Sequence, residues 1–423
     1  MQRGPLPMID CQRVRRRLEK LSEIGRDPGG GISRFSYTEA YRAALELFAG
    51  WCREAGLNPR IDAAGNLVAR YEGTDSGAPV IALGSHLDTV PNGGPLDGAL
   101  GCVAGLECLQ SLVEEGRRPA HPLETLVFVE EEGTRFGSGL LGSRAVAGKL
   151  TPAALAEMRD RDGTSAAQAM ENYGLRPLAV GEASRRSSEF EAYLELHIEQ
   201  GPILDSESVP IGIVSSIAGI WRYTFRFIGE AAHAGTTPLP VRRDALMAAA
   251  RWIPAVRDAA LQLEGPGNVA TVGHVDVKPG AINVVPAEAA ASLELRAPRE
   301  SALHRLAETV LEEARRIAAA ENIGLEVESG ARIAPVAMDE RVILAVENAC
   351  RRLGIAFRHL PSGAGHDAQA MAALCPAGMI FVPSAGGISH APEEFTPWDQ
   401  IEAGLRVMAE TIQRLDQGDN SEG

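Results

Sequence analysis

Four short apolar runs, each passing into a segment that carries acid or imidazole, constrain this chain more than any other feature. Residues 80–83 lead into Ser85-His86-Leu87-Asp88, and 126–129 into Glu130-Glu131-Glu132. Residues 193–196 lead into His197-Ile198-Glu199-Gln200, and 379–382 into Ser389-His390. Runs this short and this apolar predict buried strands. Helical patterns at 98–112, 151–158, 341–353 and 401–415 alternate with them. The alternation predicts an α/β fold with a largely buried sheet. In open α/β sheets the site lies beyond the carboxyl ends of the strands. Four strands of this kind would deliver their polar ends to one place.

The pattern changes between residues 212 and 330. Residues 213–228 are strand-like, 241–263 helical, 269–277 and 289–297 strand-like, 300–320 helical and 325–327 strand-like. This β-α-β-β-α-β order is the split βαβ, or ferredoxin-like, arrangement. A chain of 423 residues is also too long for one ordinary core. The expected organisation is a first domain of 1–211 and 331–423 with a second domain, 212–330, inserted into it. The polar tail from Gln417 is expected to fray.

Charge and cysteine usage narrow the partners. The net charge is −15 and no basic stripe offsets it. The one dense basic run, Arg13 to Arg17, falls in an amphipathic pattern and reads as a solvated helix face. Nucleic acid and anionic membranes are therefore not expected as partners. The six cysteines form no CxxC pair and lie mostly in apolar surroundings, which predicts buried thiols in a reducing compartment. With no apolar signal segment and no 18-residue apolar run, a soluble cytoplasmic protein is the expectation.

The polar segments can be read as metal chemistry. His86 and Asp88 stand two apart at a strand end, so they point the same way, and Asp88 could accept the far N–H of His86. The other reading is a polar loop with a surface salt bridge. Asp97 sits among Gly93, Gly94, Gly98 and Gly101 just before a helix. Such crowding suits a carboxylate bridging two cations, and suits a helix N-cap equally. Glu130, Glu131 and Glu132 repel one another unless cations compensate. Adjacent residues in an extended chain face opposite ways, so one carboxylate can bind metal while its neighbour faces an attacking water. His197 and His390, each alone, could be ordinary core or loop residues. Five such groups at strand ends are together harder to explain that way. Mixed nitrogen and oxygen ligands suit zinc, manganese, cobalt or nickel more than calcium or magnesium.

Beyond these, Gly84-Ser85-His86-Leu87-Asp88-Thr89-Val90, Gly94-Pro95-Leu96-Asp97-Gly98, Glu131-Glu132-Gly133-Thr134-Arg135-Phe136 and Leu196-His197-Ile198-Glu199-Gln200-Gly201 form a recognisable series. Ala232-His233-Ala234-Gly235-Thr236-Thr237-Pro238 and Gly363-Ala364-Gly365-His366-Asp367 extend it. Together they resemble the M20-type metallohydrolases. The likeness is to the branch of N-carbamoyl-L-amino acid hydrolases, β-ureidopropionases and allantoate amidohydrolases, over about residues 21–415.

The resemblance implies a mixed-sheet zinc-hydrolase catalytic domain and an inserted ferredoxin-like domain that acts as lid and dimerisation domain. It implies two divalent metals, with His86 and His197 on one, Glu132 and His390 on the other, and Asp97 bridging. It makes Glu131 the general base. It implies a homodimer in which His233 reaches into the partner's active site, and a substrate held by Gln200, Asn283, Arg296 and Gly365. The residues themselves lend some support. Arg296 offers a fork for a carboxylate, or else pairs with Glu294 two residues away. Asn283 is either a donor-acceptor in a loop or a turn-forming asparagine. His233, in a polar loop, is poised to donate to an oxyanion or is simply exposed. His366-Asp367 reads equally as support for the metal ligands and as a helix start.

The implied reaction is hydrolysis of the carbamoyl C–N bond of an N-carbamoyl-L-amino acid, releasing ammonia and carbon dioxide. Allantoate, another ureido-carboxylate, is the alternative substrate. The stretch Phe136 to Arg144 looks more like the carbamoylases. A peptidase of the same broad superfamily fits less well, because Glu199-Gln200-Gly201 resembles the ureido branch. An inactive metal-binding scaffold would have little reason to keep Glu131 beside Glu132.

Overall fold

The computed structural model describes residues 7–418. The expected fraying of the tail therefore lies, beyond Gly418, outside the described residues. The chain divides into two compact units. The first holds the residues up to Ser215, Met338–His359 and those from His366 on; the second holds Ser216–Ala337 and Leu360–Gly365.

The sheet of the first unit runs in the order Asn58–Ile61, Leu67–Tyr71, Leu123–Phe128, Val80–His86, Phe190–Ile198, Ala377–Val382, Ile211–Ile217. The four strands from Leu123–Phe128 to Ala377–Val382 are parallel to one another. The strands flanking them are antiparallel, so the fold is mixed α/β with a mixed sheet. Val80–His86, Leu123–Phe128 and Ala377–Val382 are buried at every position. That is why 80–83, 126–129 and 379–382 read as continuous apolar runs and not as alternating ones. Helix Ala99–Glu114 is buried from Ala99 to Leu112, and helices Glu340–Leu353 and Trp398–Gln417 add to the same core.

Three sequence expectations shift here. The strands reach further than their apolar runs, so His86 closes its strand and His197 stands one residue before the end of its own, neither being the start of a loop. His390 does not directly follow its strand. A loop with a tight turn at Ala385–Gly387 intervenes, because Gly386 and Gly387 have positive φ and break the extended chain. The basic run is only half solvated: Arg13 pairs with Glu107 and Glu114, and Arg17 is buried beside Glu107 and Gln110.

Within the second unit, strand Gly219–Ile228, helix Ala245–Gln262, strands Val275–Lys278 and Glu288–Ala297, helix Glu300–Ala320 and strand Gly324–Ile333 follow in order. The sheet order is Val275–Lys278, Glu288–Ala297, Gly219–Ile228, Gly324–Ile333, all antiparallel. Burial alternates along Glu288–Ala297, with Leu293 and Leu295 in the core and Glu294 and Arg296 on the opposite face. What looked like one strand over 213–228 is two, Ile211–Ile217 and Gly219–Ile228, parted at Ala218. All six cysteines are free, and all but Cys11 are buried. No helix among the described residues is long and apolar enough to cross a membrane.

Candidate metal centre

The carboxyl ends of the parallel strands bring the predicted donors together. His86 Nδ1 lies 2.9 Å from the backbone carbonyl of Asp88, and His197 Nδ1 lies 2.9 Å from that of Ile198. A carbonyl oxygen only accepts, so both Nδ1 atoms carry a proton and the Nε2 atoms are the ones turned to a cation site, His197 Nε2 also accepting the Gly98 N–H at 3.3 Å. Those Nε2 atoms lie 3.6 and 3.2 Å from Asp97 Oδ1. His390 Nε2 lies 3.1 Å from the other oxygen, Asp97 Oδ2, and 3.6 Å from Glu132 Oε1. One carboxylate thus turns one oxygen to each of two donor sets. Glu131 Oε2 is 3.6 Å from His86 Nε2.

Local backbone geometry makes this packing possible. Asp97 is not the N-cap of helix Ala99–Glu114; that position is Gly98, at φ 64° and ψ −46°, with no side-chain capping bond. A Cβ on Gly98 would stand 2.5 Å from the His86 ring, so only glycine lets Asp97 and His86 close together. Glu130 has φ 54°, and its carboxylate accepts the N–H groups of Arg135 and Phe136. That turn spends Glu130 on the loop and leaves Glu131 and Glu132 for the site. Gln200, also left-handed at φ 58°, donates from Nε2 to Asp97 Oδ2 at 2.9 Å.

Asp88 differs from its expected role. It orients His86 through its backbone carbonyl, while its carboxylate stands 3.8 Å from the ring. That carboxylate accepts the N–H groups of Glu131 and Glu132 at 3.2 and 3.1 Å.

The electrostatics of the cluster call for positive charge. Burial alone would lower His86, yet Glu131, Asp97 and Asp88 raise it well above the usual imidazole range. Burial and the neighbouring carboxylates push Glu132 up to about 8 and Glu131 well above its ordinary value. Burial would raise Asp97, but three imidazoles hold it well below the usual carboxylate range. Without cations the site must hold protons on imidazole and glutamate to balance its charge. Cations would take the place of those protons. Three donor groups fit the purpose: His86, Asp97 and His197; His86, Glu131 and Glu132; Asp97, Glu132 and His390, each with ligand atoms within 4.8 Å of one another. A fourth grouping, Glu195 with His197 and His366, is less apt. Glu195 already accepts from the Ser85 and Tyr193 hydroxyls and from Ala368 N–H.

The second unit carries the remaining predicted residues. His233 is exposed and pairs across a short ladder with Val284, which brings Asn283 close: Ala234 N–H donates to the Asn283 carbonyl at 3.0 Å. His233 Nδ1 accepts N–H groups from Gly235 and Thr236 at 3.1 and 3.2 Å, so Nε2 carries its proton. Arg296 donates to Glu294 at 2.8 Å and to the Gly363 carbonyl at 2.7 Å, so the pairing with Glu294 is present. Gly365 ends the segment Leu360–Gly365. In the first unit, His366 packs edge-on against His197 at 4.6 Å, and Asp367 opens a short helix.

Sequence reasoning missed three supporting residues. Glu195 holds Ser85 beside His86. Buried Arg34 donates to the carbonyls of Leu87 and Leu21. Glu394 is buried against the Asp97 loop. Glu195 alone left a signal, an acid inside the apolar run 193–196.

Comparison with known proteins follows the same geometry. The model of peptidase family M20/M25/M40 matches residues 82–414. The N-carbamoyl-L-amino acid amidohydrolase of Geobacillus stearothermophilus is 43% identical over 412 residues, covering 97% of this chain and 100% of that one. The allantoate amidohydrolase of Bacillus subtilis (strain 168) is 35% identical over 398 residues, covering 94% and 96%. The crystal structure of an amidase of the hydantoinase/carbamoylase family from Burkholderia multivorans superposes with TM-score 0.89 at 34% identity, covering 97% of this chain and 98% of that one.

Proposed function

Because the chain belongs to the M20/M25/M40 peptidase family, we propose that it is an amidohydrolase acting on the carbamoyl C–N bond of N-carbamoyl-L-amino acids. The observation that carries this reading is Asp97 turning Oδ1 to His86 and His197 and Oδ2 to His390. His86, His197 and Asp97 would hold one divalent cation; Asp97, Glu132 and His390 would hold the other. The donor chemistry suits zinc, manganese, cobalt or nickel. When bound, such a pair supplies Lewis-acid charge that polarises the ureido carbonyl and brings the pKa of a water towards neutrality.

Glu131 takes the proton of the attacking water as its oxygen adds to the ureido carbon. The buried position of Glu131 and its raised proton affinity support that role. It then returns the proton to the leaving nitrogen. Overall, one ureido acid and one water give an amino acid, ammonia and carbon dioxide. Asp88 fixes the backbone of Glu131 and Glu132, so it acts through them. Gln200 helps orient the substrate beside Asp97.

The second unit serves in this reading as lid and dimerisation domain of a homodimer. Arg296 and Asn283 anchor the substrate carboxylate, with Gly365 lining the same place. His233, with its proton on Nε2, donates to the developing oxyanion in the partner's site. Its tautomer supports this donor role. A cytoplasmic location is part of the proposal, supported by six free thiols. The higher identity to the carbamoylase than to the allantoate enzyme favours N-carbamoyl amino acids.

The test is ammonia release from apoenzyme reconstituted with manganese, zinc, cobalt or nickel, across a panel of N-carbamoyl-L-amino acids and allantoate. Turnover of the former above the latter is expected. Faster turnover of allantoate would reverse the substrate assignment, and no ammonia from either would sink the activity.

A further inference from the structure

We propose that Glu394 is a positioning residue for the metal centre, tying the loop that carries Asp97 to the loop that carries His390. It stands 297 residues from Asp97 in sequence. Its Oε1 accepts the N–H groups of Leu96 and Asp97 at 2.8 and 3.0 Å. Its Oε2 accepts the hydroxyl of Ser389, the residue before His390, at 2.9 Å. One carboxylate therefore fixes the backbone of the shared ligand and the approach to the most exposed one.

The surroundings are shaped around this contact. Glu394 is 4% exposed. A Cβ on Gly94 would stand 2.3 Å from the Glu394 carboxyl group, so Gly94 is the space into which it fits. Burying a carboxylate beside another acid, Asp97, is costly and adds nothing to apolar packing. The three hydrogen bonds offset that cost, and what they order is the geometry between Asp97 and His390. His390 has φ 56° and follows the turn at Gly386 and Gly387; its ring meets Asp97 Oδ2 at 3.1 Å and Gln200 Nε2 at 3.3 Å, and the Ser389 bond fixes the backbone that leads into it.

This assignment rests on Asp97 and His390 being metal ligands, and the experiment separates the two claims. Apoenzyme is titrated with cobalt(II) and followed by visible absorption, for wild type, Glu394→Ala, Glu394→Gln and Ser389→Ala. Hydrogen exchange of the Leu96 and Asp97 amides is measured on the same metal-free proteins. Outer partners of metal ligands typically contribute about ten- to hundred-fold in affinity, and a loss of that size is expected in Glu394→Ala, with faster amide exchange. Glu394→Gln keeps an oxygen for the two N–H groups, and the Ser389 hydroxyl can reverse, so it should stay within about three-fold of wild type. Ser389→Ala should fall between them.

Faster exchange in Glu394→Ala with wild-type cobalt binding would reduce Glu394 to a loop staple and overturn the proposal. A glutamine variant as impaired as alanine would also overturn it, since charge and not hydrogen bonding would then be at work. Should the alanine variant fail to fold, unchanged cobalt binding in Ser389→Ala is the overturning result. A wild-type protein that takes up no cobalt would defeat the metal reading itself, and this one with it.

Discussion

Gly98→Ala is the smallest change that should dismantle the centre. Gly98 has φ 64° and ψ −46°, where an L side chain costs about 1–3 kcal/mol. The new Cβ would lie 2.5 Å from the His86 ring, against an ordinary carbon contact of about 3.5 Å. The imidazole must therefore retreat by about 1 Å. A misplacement of that size at a reacting centre costs about 100-fold, or about 2.7 kcal/mol. Gly116 is a control for positive φ: its φ is also 64°, but nothing lies within 4 Å of its added Cβ. Gly116→Ala should show the backbone strain alone, as a lower thermal midpoint with full metal content and turnover. Gly98→Ala should show that strain plus a loss of about 100-fold in kcat/KM, and less metal retained after dialysis. Metal is counted by plasma mass spectrometry and turnover by ammonia release. If Gly98→Ala keeps two metals and full activity, or if Gly116→Ala loses as much, the ring-displacement argument fails.

Glu131→Gln should retain metal but lose turnover by about 10²–10⁴-fold, and preserved turnover would remove Glu131 as the base. Arg296→Ala should chiefly raise KM for carboxylated substrates; an unchanged KM would leave its bonds to Glu294 and the Gly363 carbonyl as its whole role. In the metal-free protein, Glu132 at about 8 and His390 at about 9 hold protons that an unfolded chain releases near 4.5 and 6.5. The native state then binds more protons, so its thermal stability should fall as pH rises from about 5 to about 9. Metal-loaded protein should show the opposite slope, because cations bind deprotonated ligands; parallel pH profiles would contradict this. Burial pushes the Cys11 thiol up to about 11 and those of Cys52, Cys350 and Cys375 up to about 12. Native protein at pH 8 should react with Ellman's reagent far more slowly than unfolded protein, and rapid labelling of all six thiols would refute the burial.

The buried parallel strands were legible because a strand covered on both faces must be apolar along its length, and 80–83 and 379–382 show that without neighbours. The change of period after residue 212 was legible for a similar reason: Glu288–Ala297 alternates because one face meets helices and the other does not. Ends of elements were less clear. His86 and His197 look like loop residues in sequence because they are polar, yet they pair within ladders with Phe128 and Phe381. Backbone pairing is indifferent to the side chain, so hydropathy alone stops a strand too early. The break at Ala218 was invisible for the converse reason, since two strands in series are as apolar as one.

The ligands and their supports differed in legibility for a physical reason. A ligand must stand beside other ligands at an element's end, so it leaves a local trace of acid, imidazole and glycine. A support need only present an acceptor to a backbone N–H, and any sequence carries those groups. Asp88 was misassigned on this account. Its spacing from His86 suggested a side-chain contact, but its carboxylate meets backbone 43 and 44 residues away, at Glu131 and Glu132. Glu195 and Glu394 do the same for Ala368 and Asp97. All three acids give carboxylate oxygens to backbone N–H groups. Each adds negative charge around the centre while occupying no coordination position. On the proposed dimetal reading, that arrangement would raise the affinity of the inner donors for cations and leave Glu131 to move a proton.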